Sequence, residues 1–134
     1  MNLVRFVVAF SLAVLQSACV ATSVPLATTP GSNATAAQHN SEGIEDYNMG
    51  QWSVASDHFE SAIKADPNLA ECHFNLALAL DKLELHSEAT THFKKAAELA
   101  PGNSAITQSS AYRNHTASPA SSYGTGGYGG LGGY

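Results

Sequence analysis

Shifted against itself by 34 residues, the sequence brings Ala55 onto Ala89, Phe59 onto Phe93, Ala62 onto Ala96 and Pro67 onto Pro101. His58 falls on His92, Trp52 on His86, Met49 on Leu83, Ile44 on Leu78 and Gly43 on Ala77, and Ala77 falls in turn on Ala111. A recurrence of this length marks stacked copies of one supersecondary unit, because a single unit cannot bury its own apolar face. Within each copy, Ala-x3-Phe-x2-Ala places three residues at i, i+4 and i+7, on one helical face. The small residues let a second helix approach closely, and the phenylalanine fills the space between the two. Gly43 and Ala77 supply the small face of the opposing helix. Pro67 and Pro101 end the second helix of each pair, since proline disfavours helix in the residue before it.

The pattern predicts helices over roughly 37–48, 52–65, 69–83, 86–99 and 103–113. Gly50 stands where a left-handed cap is expected. Asn68, with Glu71 three residues on, reads as a capping box for the third helix. The first helix opens on Ala37-Gln38-His39-Asn40-Ser41-Glu42, which has no apolar stripe. Ala105, Ile106 and Tyr112 are placed to cover the open end of the second unit.

These features resemble the tetratricopeptide repeat family over about 75 residues. The resemblance implies an all-α fold of two tandem helix-turn-helix units (36–69 and 70–103) plus a C-terminal capping helix (104–112). Three positions depart from the family pattern. Glu84 replaces the turn glycine of the second unit, His73 stands in an aromatic slot of its first helix, where it reads as a packed core histidine, and His86 replaces the aromatic filled by Trp52. Such repeats take an extended peptide or a partner helix on the concave face. The lining implied here is Asn40, Ile44, Tyr47 and Asn48, then Phe74, Leu78, Asp81 and Lys82, then Gln108 and Tyr112. Ile44 and Phe74 occupy slots that a clamp for a C-terminal carboxylate needs polar or basic, so that ligand is not expected.

The N-terminus reads as an export signal. A weakly positive start, Met1–Arg5, precedes a ten-residue run, Phe6–Leu15, that is apolar except for Ser11, too short to span a bilayer but suited to a signal core. Leu15-Gln16-Ser17-Ala18-Cys19 resembles the lipobox of bacterial lipoproteins, with Gln16 where an aliphatic residue is usual. The resemblance implies cleavage after Ala18 and a lipid on Cys19. Val20 is similar to residues that follow the cysteine in outer-membrane lipoproteins. Ordinary secretion, with cleavage after a small residue such as Ala21, is the other reading; a Cys19 that is retained without a lipid could instead close a disulfide to Cys72. Residues 19–35, uncharged and rich in Thr, Ala, Ser and Pro, are expected to form a flexible tether. Residues 113–134, dominated by Gly with Tyr123, Tyr128 and Tyr134, are expected to be a disordered tail.

All eleven acidic residues lie between Glu42 and Glu98, and the net charge of −5 excludes a phosphate-binding surface and hence nucleic acid. No nucleophile elbow or phosphate-binding glycine loop occurs. Six histidines raise the question of metal. Cys72 and His73 are neighbours about 100° apart on a helix, and His86 and His92 lie on different faces. His58 and His92, equivalent in successive repeats, are expected side by side and form the best pair, which lacks a third ligand. No catalytic residue, cofactor or metal is assigned. The expected function is a non-catalytic protein–protein interaction module of the cell envelope, a lipid-anchored adaptor or scaffold capable of self-association. The competing reading is a periplasmic or secreted metal-binding or enzymatic protein using the histidines.

Overall fold

The computed structural model describes residues 23–117, and within them every regular element is a helix. They run α1 (Ala34–Asn48), α2 (Trp52–Ala65), α3 (Ala70–Lys82), α4 (His86–Leu99), α5 (Ser104–Thr107) and α6 (Ser110–Thr116). The expected all-α architecture is the observed one: α1 packs on α2, α3 on α4, and the first pair on the second through α2 and α3. None of these helices is long and apolar enough to cross a membrane.

The repeated side chains do the packing assigned to them. Ala55, Phe59 and Ala62 of α2 are fully buried, as are Ala89, Phe93 and Ala96 of α4. A methyl group at Gly43 would lie 2.6 Å from the Phe59 ring, so only glycine allows α1 to approach this closely. At the equivalent position of the second pair, Ala77 is fully buried, and Phe93 meets the ring of Phe74 edge-on at 5.6 Å. Helix α3 is buried from Ala70 to Leu80 without interruption. A helix apolar on one side only would leave polar residues in water, and here even Glu71, His73 and Asn75 are covered. Three layers account for this: α2 on one side, α4 on another, and an extended N-terminal segment across a third.

The turns confirm the register. Gly50 closes the first pair with φ of 78°, and Glu84, 34 residues on, closes the second with φ of 63°. The departure from glycine leaves the left-handed geometry in place, at a cost of about 1 kcal/mol for the added Cβ.

Several boundaries differ from expectation. Helix α1 begins three residues early, because the Asn33 side chain accepts the amide hydrogen of Ala36 and caps it. The Asn68–Glu71 capping box does not form: the N-cap of α3 is Leu69, which makes no side-chain cap bond, and the Asn68 amide turns to Asp66 Oδ1 at 3.1 Å. The single closing helix is two, because Ser109 caps a fresh start by accepting the amide hydrogen of Tyr112. Ile106 is fully buried and closes the end of the second pair, whereas Ala105 faces solvent. Helix α6 continues to Thr116, past the expected start of the tail at residue 113. The segment expected to be an export signal, Cys19 and most of the expected tail lie outside the described residues.

Candidate functional site

An asparagine fully buried in the apolar run Phe74-Asn75-Leu76 must find partners, because an unsatisfied buried amide costs about 1–3 kcal/mol. Asn75 finds them in the stretch expected to be a loose tether. Its Oδ1 accepts the Leu26 amide hydrogen at 2.6 Å, and its Nδ2 donates to the Leu26 carbonyl at 2.7 Å. Asn40 on α1 donates to the same carbonyl at 3.0 Å, and its own Oδ1 accepts from Asn75 at 2.8 Å. Two side-chain amides therefore hold both polar groups of one backbone residue. A backbone held through N–H and C=O together is pinned in the way a strand is pinned at a sheet edge.

The segment is fastened at a second point. Ser23 Oγ accepts the Ala111 amide hydrogen at 3.1 Å and lies 3.2 Å from Ser110 Oγ. Between these points Leu26 packs on the core. Residues 23–26 thus bridge α1, α3 and α6. The expectation of a flexible tether does not hold there, because composition alone cannot reveal that buried amides elsewhere need a backbone to satisfy them.

The residues named for the groove divide into two groups. Asn40 holds Leu26; Phe74 and Gln108 line a hollow with Val24 and Leu26; Tyr47, Leu78, Asp81 and Lys82 line another beside Ser23. Ile44 is partly buried against the core. Asn48 is exposed at the end of α1, and Tyr112 packs on the α4 side near Lys94, Ala97 and Glu98. Burial, and then the nearby Asp81 charge, raise the Tyr47 phenol above its usual range. Asn75, Leu26 and Ser23 were not among the named residues. An amide in a continuous apolar stretch was the available signal for Asn75; nothing in the segment's own composition marks Leu26 or Ser23.

The histidines are arranged differently from the expected pairing. His58 and His92 do not face each other: His58 lies beside His39, with ring centroids 5.9 Å apart, and His92 stacks on His73 at 5.4 Å. His73 is buried, as its slot implied, and its Nε2 bonds the Pro67 carbonyl at 3.0 Å while its Nδ1 meets His92 Nδ1 at 3.1 Å. With Nε2–H committed to the carbonyl, His73 accepts at Nδ1 and His92 donates, which makes the His73 ring neutral. Burial holds both below the ordinary histidine range. Two other groups of three bring a carboxylate between two imidazoles: His39, Glu42 and His58, and Asp81, His86 and His115. Cys72 is a free thiol, fully buried and pushed up to about 12 chiefly by that burial, and Cys19, its partner in the disulfide considered above, lies outside the described residues.

No curated protein matches the chain. Residues 70–103 match the family model described as tetratricopeptide repeat, which covers α3, α4 and the proline turn after them. With the first helical pair repeating the same packing at the same period, the chain is a tetratricopeptide repeat protein.

Proposed function

We propose that the chain is a non-catalytic adaptor of the cell envelope whose groove holds an extended polypeptide by its backbone, and that a lipid on Cys19 anchors it to the membrane. The observation that carries the groove reading is the Asn40–Asn75 pair on Leu26. It engages N–H and C=O and no side chain, so any extended segment satisfies it, while the hollow at Phe74 selects for an apolar residue. The chain's own residues 23–26 occupy the site, and a partner's segment exchanges with them. Tetratricopeptide repeats generally serve as protein-binding scaffolds without catalysis, which agrees with this reading.

Exchange has a mechanical consequence under the lipid anchor. Four peptide links separate Cys19 from Ser23, a reach of at most about 14 Å. With the segment released, the free length extends to Asn33 at the start of α1, and the reach grows to roughly 50 Å. A partner that takes the groove therefore also frees the domain to move away from the bilayer.

The test is a domain lacking residues 19–30, titrated with a synthetic peptide of residues 20–30. Saturable binding that Asn75→Ala abolishes is the expected result; a deleted domain that ignores the peptide rejects the groove reading. The anchor is tested separately, by mass spectrometry of the membrane fraction. A diacyl or triacyl mass on Cys19 is expected, and a bare N-terminus at another residue refutes it.

A further inference from the structure

The cluster of His39, Glu42 and His58 lies outside the groove. His39 and Glu42 are three residues apart on α1 and so share a face, and His58 meets them from α2. Glu42 Oε2 stands 3.2 Å from His39 Nδ1 and 3.2 Å from His58 Nδ1. Two imidazoles and one carboxylate are a donor set for zinc and related divalent ions. Ligands about 2.0–2.2 Å from a tetrahedral zinc ion stand about 3.3 Å from one another. Both separations are thus those of adjacent corners of such a site.

The outer atoms are also held. Gln38 Nε2 donates to Glu42 Oε1 at 3.0 Å, which fixes the carboxylate and leaves Oε2 free to ligate. Asp46 Oδ2 faces His58 Nε2 at 3.5 Å, which favours the proton on Nε2 and the lone pair on Nδ1, toward the cluster. All three ligands are partly exposed, so a fourth corner is open to water.

We infer that His39, Glu42 and His58 form a binding site for a divalent transition-metal ion of the zinc class, with Asp46 and Gln38 as its outer support. The ion would fasten α1 to α2. Helix α1 buries only Ala36, Asn40 and Gly43, so a tie to α2 adds to a sparse contact. The second cluster is a poorer match: both nitrogens lie 2.9 Å from Asp81 Oδ1, closer than adjacent ligands stand, and the His86 side chain is 64% exposed.

The full chain, purified without a histidine tag and stripped by a chelator, is titrated with Zn2+ against a chromophoric competitor. One ion per chain is expected from this site. His58→Ala should weaken it at least 100-fold and Asp46→Asn about tenfold, while His86→Ala leaves it in place. Zn2+ should raise the melting temperature of the wild type and not that of His58→Ala. Co2+ should give visible bands of tetrahedral intensity that the same substitution removes. Glu42→Gln serves as a second variant if His58→Ala fails to fold, and it too must weaken binding. The inference is overturned if no ion binds, if binding survives in both His58→Ala and Glu42→Gln, or if only His86→Ala removes it.

Discussion

Replacing Asn75 by alanine separates the groove from the rest of the core. The side chain makes three hydrogen bonds, two to Leu26 and one to Asn40. At about 1 kcal/mol net for each, the loss is about 3 kcal/mol. In a domain of this size 1 kcal/mol moves the melting temperature by about 4–8 °C, so the change is large. Part of it belongs to the helices themselves and part to the N-terminal segment, and a double-mutant cycle divides them. In a chain lacking residues 19–30, Asn75→Ala removes only the bond to Asn40, at about 1 kcal/mol. The coupling between Asn75 and the segment is then about 2 kcal/mol, read from urea unfolding of the four proteins. Asn75→Asp adds a sharper control: a carboxylate accepts from the Leu26 amide but sets an acceptor against both the Leu26 carbonyl and Asn40 Oδ1, so it should destabilise at least as much as alanine. A coupling below about 0.5 kcal/mol, the usual scatter of additive sites, refutes the docked segment.

Other outcomes follow from single sites. Gly43→Ala drives a methyl group into the Phe59 ring, and about 1–3 kcal/mol of overpacking outweighs the better helix propensity, lowering the denaturation midpoint. Glu84→Gly relieves a left-handed φ and should raise stability by about 0.5–1 kcal/mol in the same assay. The raised Cys72 thiol means that the folded state holds its proton more tightly than the unfolded state. Its contribution is complete below the unfolded value near 9 and is lost as pH rises toward about 12, by at most about 1.4 kcal/mol per pH unit. Cys72→Ala should flatten that alkaline decline in pH-dependent unfolding. His73 and His92 are lowered, so their contribution is present above the ordinary value of 6.5 and lost as pH falls through their folded values. His92→Gln should reduce the acid sensitivity of the melting temperature below pH 6.5.

The repeat made the helices and their pairing legible because packing at a fixed period writes itself into the sequence: Phe59 and Phe93 need the same small neighbours, and Pro67 and Pro101 the same stop. Even Glu84, which breaks the pattern, keeps the backbone that the pattern requires, because the closure of α3 on α4 outweighs about 1 kcal/mol of local strain. The groove was only half legible. Asn40 and Phe74 follow from repeat position, but the occupant does not. Residues 23–26 have no charge, no periodicity and a proline, and their order comes from the needs of Asn75 and Asn40 rather than from their own preferences. The histidines failed for a related reason. Repeat equivalence pairs His58 with His92, whereas contacts within each helical pair bring His39 to the first and His73 to the second.

The docked segment is tested most directly by hydrogen exchange at a single amide. Leu26 donates its N–H to a buried side chain, so its exchange should be slowed by at least about 30-fold relative to an unstructured chain, the factor that about 2 kcal/mol of local stabilisation gives. The same amide should exchange freely in Asn75→Ala. Exchange of Leu26 at the unstructured rate in the wild-type chain contradicts the account, whatever the stability of the helices behind it.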